Sequence, residues 1–193
     1  MRILQIGPIP PEAGGKTVGG VATHVWDLSI HLAKRGHEVA ILADNFSNPP
    51  EVPVIKEKVK IYGLSKTILL KRLPFILFNL FTIYNLKKYL KGLIGLRRIT
   101  TNFCYYNYVL RHFGPDVVHV HHLESRFSFA YFISKGKFPI VTTIHSFHSI
   151  KFSSLARSKL YHNLVANNLK LSKNIIFVSK TLEKEGKKFQ QLF

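Results

Sequence analysis

Short apolar runs alternate along the chain with longer stretches whose apolar residues follow helical spacing. Five of these runs have the length and composition of buried β-strands: residues 2–7, 38–43, 116–121, 139–144 and 174–178. Between the first two runs, Val21, Val25, Leu28 and Leu32 predict one face of a helix, and Gly36 suits its end. The pattern opens with a β–loop–α–β unit, which is typical of a doubly wound α/β sheet.

The rest of the chain continues this alternation. Short strands are predicted within 52–64, and helices over 67–89, 97–112, 125–134, 154–171 and 180–189. Strands that alternate with helices throughout favour a mostly parallel, Rossmann-like sheet. Ligands of such sheets bind beyond the carboxyl ends of the strands. In this sequence those ends hold the loop after Gly7, the pair His121–His122, His145 and Ser179.

Composition narrows the class of protein. Of the 193 residues, 46% are hydrophobic, which suits a globular domain with a core. The single cysteine, Cys104, excludes an internal disulfide framework and a Cys₂His₂ zinc site. The first residues enter a strand pattern directly and do not resemble a signal peptide, so we expect a cytoplasmic protein.

Charge points to an anionic partner. The formal net charge is +18, and residues 58–115 contain 11 Lys or Arg and no acid. Within this block the apolar segment 73–86 would span only about 21 Å as a helix, too short to cross a bilayer. An interfacial segment over 66–91 on the inner face of the membrane and an ordinary core helix both remain open. The basic residues that would contact anionic lipid are Lys71, Arg72, Lys87, Lys88 and Lys91.

The glycine-rich loop after the first strand is a candidate anion site. Gly15-Lys16-Thr17 resembles the end of a P-loop, but the first glycine of that motif is replaced by Pro10, and no Gly-x-Gly-x-x-Gly fingerprint exists. The pair Gly19–Gly20 lies at the predicted helix start, where exposed N–H groups and the helix dipole attract anions. The alternative is a flexible surface turn.

Histidines are concentrated at two strand ends. His119 and His121 should point to one face of their strand, and we interpret His119 as a hydrogen-bonded core residue. Imidazoles bind zinc or iron, but no carboxylate lies at a recognisable ligand spacing, so we expect no metal. His145 ends an apolar strand at the edge where ligands bind, and we expect it to contact a ligand. Without a Gly-x-Ser-x-Gly elbow, a serine hydrolase is not indicated.

Four blocks in order resemble the N-terminal domain of glycosyltransferase family 4, the retaining group 1 enzymes with the GT-B fold. They are Gly19-Gly-Val-Ala-Thr-His24 with Leu32-Ala-Lys-Arg-Gly-His-Glu-Val39, Pro115-Asp-Val-Val-His-Val-His-His122, Pro139-Ile-Val-Thr-Thr-Ile-His145 and Ile175-Ile-Phe-Val-Ser-Lys180. The resemblance implies metal-independent sugar transfer from a nucleotide-sugar donor. It also implies that Gly19 and Gly20 face the donor phosphates and that His145 lies near the reacting sugar as the catalytic residue.

The resemblance predicts one domain over 1–193, the acceptor-side half of a GT-B enzyme of hexosyltransferase type. The family's Glu-x₇-Glu donor motif is absent here, so we expect the donor-binding domain to lie outside this chain and the isolated chain to be inactive. The acceptor would be a sugar or a lipid-linked sugar. We expect these residues to line the acceptor site or cleft: Lys16, His121, His122, Ser146 and Ser179.

Two other functions remain open from the sequence. A basic module that binds a membrane or nucleic acid would explain the charge but not the four ordered blocks, and no aromatic stacking platform favours nucleic acid. Half of a nucleotide-sugar epimerase would share the same fold.

Overall fold

The computed structural model describes residues 1–43, 45–47, 52–63, 105–121, 138–146 and 172–190. Seven strands and three α-helices lie in these ranges, together with a short 3-10 helix at Pro11–Ala13. In chain order they are β1 (Arg2–Gly7), α1 (Gly20–Lys34), β2 (Glu38–Ala43), β3 (Val54–Lys56), β4 (Val59–Gly63), α2 (within 105–113), β5 (Val117–Val120), β6 (Ile140–Ile144), β7 (Asn174–Phe177) and α3 (Lys180–Gln190).

The described strands form one sheet in the order β3-β4-β2-β1-β5-β6-β7. Only the edge hairpin β3–β4 is antiparallel, and every other pairing is parallel. Without β3, the order is that of a doubly wound Rossmann-like sheet, and the chain reverses its direction of progress between β1 and β5. The predicted α/β class, with a mostly parallel sheet, is confirmed.

Helices cover the two faces of the sheet. On one face, Tyr106, Val109 and Phe113 of α2 pack on a core that includes Leu4 and Val118. The opposite face packs against α1 in a second core, and its main members are Val25, Trp26, Ala33, Val39, Ile41, Val59 and Ile61. Because side chains alternate along a strand, β2 and β4 contribute to both cores. This explains why the run of β2 is wholly apolar after Glu38.

The loop between β1 and α1 is fixed by hydrogen bonds. Asn45, which follows β2, accepts a bond from Ile9 N at 2.9 Å and donates through Nδ2 to Ile9 O at 2.8 Å. Ser47 N donates to Gly14 O at 3.0 Å, and Gly14 adopts a left-handed φ of 97°. The side chains of Ile9 and Ala13 are fully buried beneath the loop. These bonds and this burial anchor the loop up to Gly15 and favour an ordered segment over a flexible turn.

Strand and helix positions agree closely with the sequence pattern. Helix α1 begins at Gly20, and Gly36 has the left-handed φ of 84° expected after a helix end. The predicted helices over 67–89, 125–134 and 154–171 lie outside the described residues, as does the first half of the helix predicted over 97–112. Among the described helices, none is long and apolar enough to span a membrane.

Gly15 should be indispensable for the fold. An added Cβ would lie 1.8 Å from the backbone oxygen of Ile9, which cannot move without breaking its bond to Asn45. We expect Gly15→Ala to lower the free energy of unfolding by about 2 kcal/mol or more in urea denaturation.

Gly20→Ala is the matched control, because nothing lies within 4 Å of its added Cβ. It should change stability by less than about 1 kcal/mol, since alanine is the better helix former. Equal stability of the two variants would contradict this account of the loop.

Candidate functional site

The centre of the sheet carries polar side chains on the face that packs against α1. Leu4 and Ile6 point into the α2 core, so the alternation along β1 turns Gln5 and Gly7 toward α1. In β5, Val118 and Val120 also point into the α2 core. His119, and His121 directly after the strand, therefore point toward α1. The two histidine ring centroids lie 4.1 Å apart, as their predicted common face requires.

Gly7 lets α1 approach the sheet at this point. An added Cβ would lie 3.1 Å from Val25 Cγ2 of α1 and 3.2 Å from His121 Cβ. Both contacts are tighter than a side chain normally tolerates, so the absence of a side chain at position 7 allows helix and strand to meet. The contact lies where β1 and β5 end, at the switch point of the sheet.

A hydrogen bond from His121 to Gln5 determines the tautomer of the His121 ring. His121 Nε2 lies 2.6 Å from Gln5 Oε1, and both side chains are fully buried. The amide oxygen of Gln5 faces the ring, and because an amide oxygen can only accept, Nε2 donates the proton. Neutral His121 then carries its lone pair on Nδ1.

Two further histidines meet His121 beyond the strand ends. The His24 ring centroid lies 5.5 Å from that of His121 and 5.2 Å from that of His145, and the two remaining rings are 5.8 Å apart. One nitrogen of each ring lies within 4.8 Å of the corresponding nitrogens of the other two. His24 is exposed, His145 is half-buried and His121 is buried, so the cluster reaches from the core to the surface. We call these three residues the histidine cluster.

His119 lies beside the cluster and is engaged within the sheet. Its Nε2 and Thr143 Oγ1 of β6 share a hydrogen bond of 2.7 Å. Burial lowers the pKa of His119 from its ordinary 6.5 to about 4, and the neighbouring His24 and His145 add to the effect. His119 is therefore neutral at pH 7, as expected of a hydrogen-bonded core histidine.

The remaining predicted site residues lie in different places. Gly19 and Gly20 are exposed at the start of α1, one turn before His24, with open space where side chains would be. Lys16 and Ser146 are exposed, the latter directly after His145. Ser179 has a structural role, since its Oγ accepts a hydrogen bond from Leu182 N at 3.2 Å at the start of α3. His122 and the five proposed membrane-contacting residues lie outside the described part of the chain: Lys71, Arg72, Lys87, Lys88 and Lys91.

Sequence reasoning did not assign a site role to His24 or Gln5. His24 follows Gly20 by four residues, and this spacing places it one helical turn from the start of α1, near the edge where the parallel strands end. That signal was available in the sequence. Gln5 was visible only as a polar residue within an otherwise apolar strand, and its partner His121 is 116 residues away along the chain.

A Rossmann-like sheet with polar side chains at its switch point is typical of doubly wound domains that bind a ligand at that edge. The family model described as Glycosyltransferase Family 4 matches residues 18–191, and the chain belongs to this family. It is therefore a glycosyltransferase-type domain. Comparison with curated proteins gives no match.

One solved structure supports the same fold. Sucrose-phosphate synthase from Thermosynechococcus elongatus is similar over 97% of this chain and 45% of its own, with a TM-score of 0.62 and 14% identity. A UDP-GlcNAc 2-epimerase from Neisseria meningitidis, solved with UDP-GlcNAc, aligns over 100% of this chain and 52% of its own, with a TM-score of 0.43 and 17% identity. The chain thus spans about half the length of each of these proteins.

Acid should destabilise the domain partly through His119. Its pKa is lower in the folded than in the unfolded state, so the unfolded chain binds the proton first as the pH falls. The contribution of His119 is complete above about pH 6.5 and is lost as the pH falls toward 4. The two pKa values correspond to a loss of at most about 2 kcal/mol between about pH 7.5 and pH 5.

His119→Gln keeps a hydrogen-bonding partner for Thr143 and cannot titrate. Urea denaturation at several pH values should therefore show a smaller loss for this variant than for the wild type. Identical pH dependence would mean that His119 is not held neutral.

Proposed function

We propose that this chain is the N-terminal, acceptor-side domain of a retaining glycosyltransferase of hexosyltransferase type that uses a nucleotide-sugar donor. The donor would bind mainly to a second domain, across a cleft from the edge that carries the histidine cluster. On this proposal the isolated chain does not transfer sugar, and transfer requires no metal.

The observation that carries the proposal is the common position of Gly20 and His145. His24 lies one turn after Gly20 on α1, about 6 Å along the helix axis, and its ring contacts that of His145. Both predicted site elements therefore lie at the switch-point edge. Membership of glycosyltransferase family 4 supports a sugar donor as the ligand, and it favours transfer over epimerisation.

The local chemistry suits a donor with phosphate groups. Open space at Gly19 and Gly20 lets a ligand reach the backbone at the start of α1. The exposed N–H groups and the positive end of the helix dipole would favour the donor's phosphates there. His145 would lie beside the reacting sugar, where an imidazole can exchange hydrogen bonds with a hydroxyl group. Ser146, Lys16 and His122 would then extend the cleft on the acceptor side.

His145 should contribute to rate more than to stability. In the complete enzyme, His145→Ala should lower kcat by about 100-fold or more, because a group that contacts the transition state affects the rate directly. Its melting temperature should change little, since the side chain is only half-buried.

His112→Ala is the matched control. His112 is exposed on α2, the helix that covers the opposite face of the sheet, and its Nδ1 lies 3.1 Å from Tyr108 O of its own helix. It should leave kcat unchanged. A lower melting temperature of His145→Ala with unchanged kcat would assign His145 to packing and remove it from the proposed mechanism.

We also propose that the segment 66–91 holds the domain against anionic lipid, which would suit a lipid-linked acceptor. The support is its apolar stretch with five flanking cations in a region that lacks acids. At about 1 kcal/mol for each cation, the attraction amounts to at most about 5 kcal/mol, enough for reversible docking.

Sedimentation with vesicles tests this docking. Binding should rise with the fraction of anionic lipid and fall with salt, and replacement of Lys71, Arg72, Lys87 and Lys88 by Ser should abolish it without unfolding the domain. If the wild-type chain does not bind anionic vesicles at low salt, the segment is a core helix with a solvated rim.

A further inference from the structure

The histidine cluster has the composition of a transition-metal site. Three imidazoles from α1, β5 and β6 converge, and one nitrogen of each lies within 4.8 Å of the others. Three histidines that leave a fourth position open form a zinc arrangement found in enzymes. Imidazole also binds Cu²⁺ and Ni²⁺, whereas Mg²⁺ and Ca²⁺ prefer oxygen ligands.

The bond between Gln5 and His121 provides a second, independent observation. Histidines that bind a metal usually donate their other ring N–H to a carboxylate or a carbonyl oxygen, which fixes the ring and its tautomer. Gln5 Oε1 accepts that bond from His121 Nε2 at 2.6 Å, inside the core. His121 therefore has its lone pair on Nδ1, held in one orientation. His119, by contrast, shares its Nε2 hydrogen bond with Thr143 and lies outside the cluster.

The geometry requires only a small contraction. With zinc–nitrogen bonds of about 2.0–2.1 Å in a tetrahedron, ligand nitrogens lie about 3.3 Å apart. Relative to this spacing, the cluster nitrogens must move closer by about 1.5 Å at most. Because Gln5 holds His121, this movement would have to come from His24, which is exposed on α1, and from His145, which is half-buried at the end of β6.

We propose that His24, His121 and His145 together bind Zn²⁺, with the fourth coordination position open to water or an anion. The metal would occupy the imidazole that the proposed function places beside the reacting sugar. Zinc would therefore inhibit transfer and would not be its cofactor. This consequence rests on the proposed function, whereas the binding itself does not.

Metal binding can be measured on this chain directly. ZnCl₂ would be titrated against a chromophoric zinc indicator, and CoCl₂ would report tetrahedral coordination through its visible absorption. We expect one site per chain, and we expect His24→Ala to weaken it by about tenfold or more, since even loss of an outer-shell partner has an effect of that size. His24 is exposed, so this variant should fold normally.

Two other variants sharpen the test. His31→Ala removes another exposed histidine of α1, whose ring bonds to Asp27 O, and should leave zinc affinity unchanged. Gln5→Met should weaken zinc binding without removing a ligand. An affinity that is the same in the wild type and His24→Ala, or the absence of any binding, would overturn the proposal.

An activity assay of the complete enzyme separates this site from the proposed function. Transfer should persist in chelator and fall as zinc fills the site, and His24→Ala should require at least tenfold more zinc for the same inhibition. If zinc binds and transfer is unaffected, the metal site stands and the role of His145 is wrong. If chelator abolishes transfer and zinc restores it, zinc is a cofactor and its inhibitory role is wrong.

Discussion

The close approach of α1 to the sheet at Gly7 is the constraint on which the site depends. A side chain at position 7 would meet both Val25 of α1 and His121 after β5 at little more than 3 Å. Either the helix would move outward or the strand end would shift. His24 and Val25 are adjacent on α1, so any outward movement of the helix also carries His24 away from His121 and His145. The close packing of Val25 against Gly7 therefore determines whether the three rings of the histidine cluster come together.

Two polar side chains next to this contact, Gln5 and His121, are buried in a mainly hydrophobic core, which is energetically unfavourable. Gln5 and His121 are fully buried, and transfer of such groups from water costs several kcal/mol unless hydrogen bonds replace the lost hydration. Their mutual bond supplies part of this compensation. Apolar residues at these two positions would stabilise the sheet more. Local departures from the best core composition are expected where function requires them.

Much of the fold could be predicted from the sequence because its signals are local. Apolar runs set the strands, and the glycines at 20 and 36 lie at the two ends of α1. The position of His145 at the carboxyl edge of the sheet could also be predicted, since the carboxyl ends of parallel strands share one edge. The anchoring of the loop could not be predicted, because it depends on hydrogen bonds between the backbone of Ile9 and the side chain of Asn45. These two residues are 36 positions apart in the sequence. For the same reason His121 was predicted as a site residue but its partner Gln5 was not, since no spacing rule connects positions 5 and 121.

The charge of the chain and the chemistry of the histidine cluster favour different partners. A formal charge of +18 attracts anions over distances of about a Debye length, whatever their identity. The cluster contains three histidines and no carboxylate, so its imidazoles offer lone pairs without a negative charge that would repel a phosphate group nearby. A metal cation must approach against the overall charge, and it can gain only from direct ligand bonds. The same nitrogens could thus serve a sugar hydroxyl or a zinc ion, and the long-range field would help an anionic donor while it would oppose a metal cation.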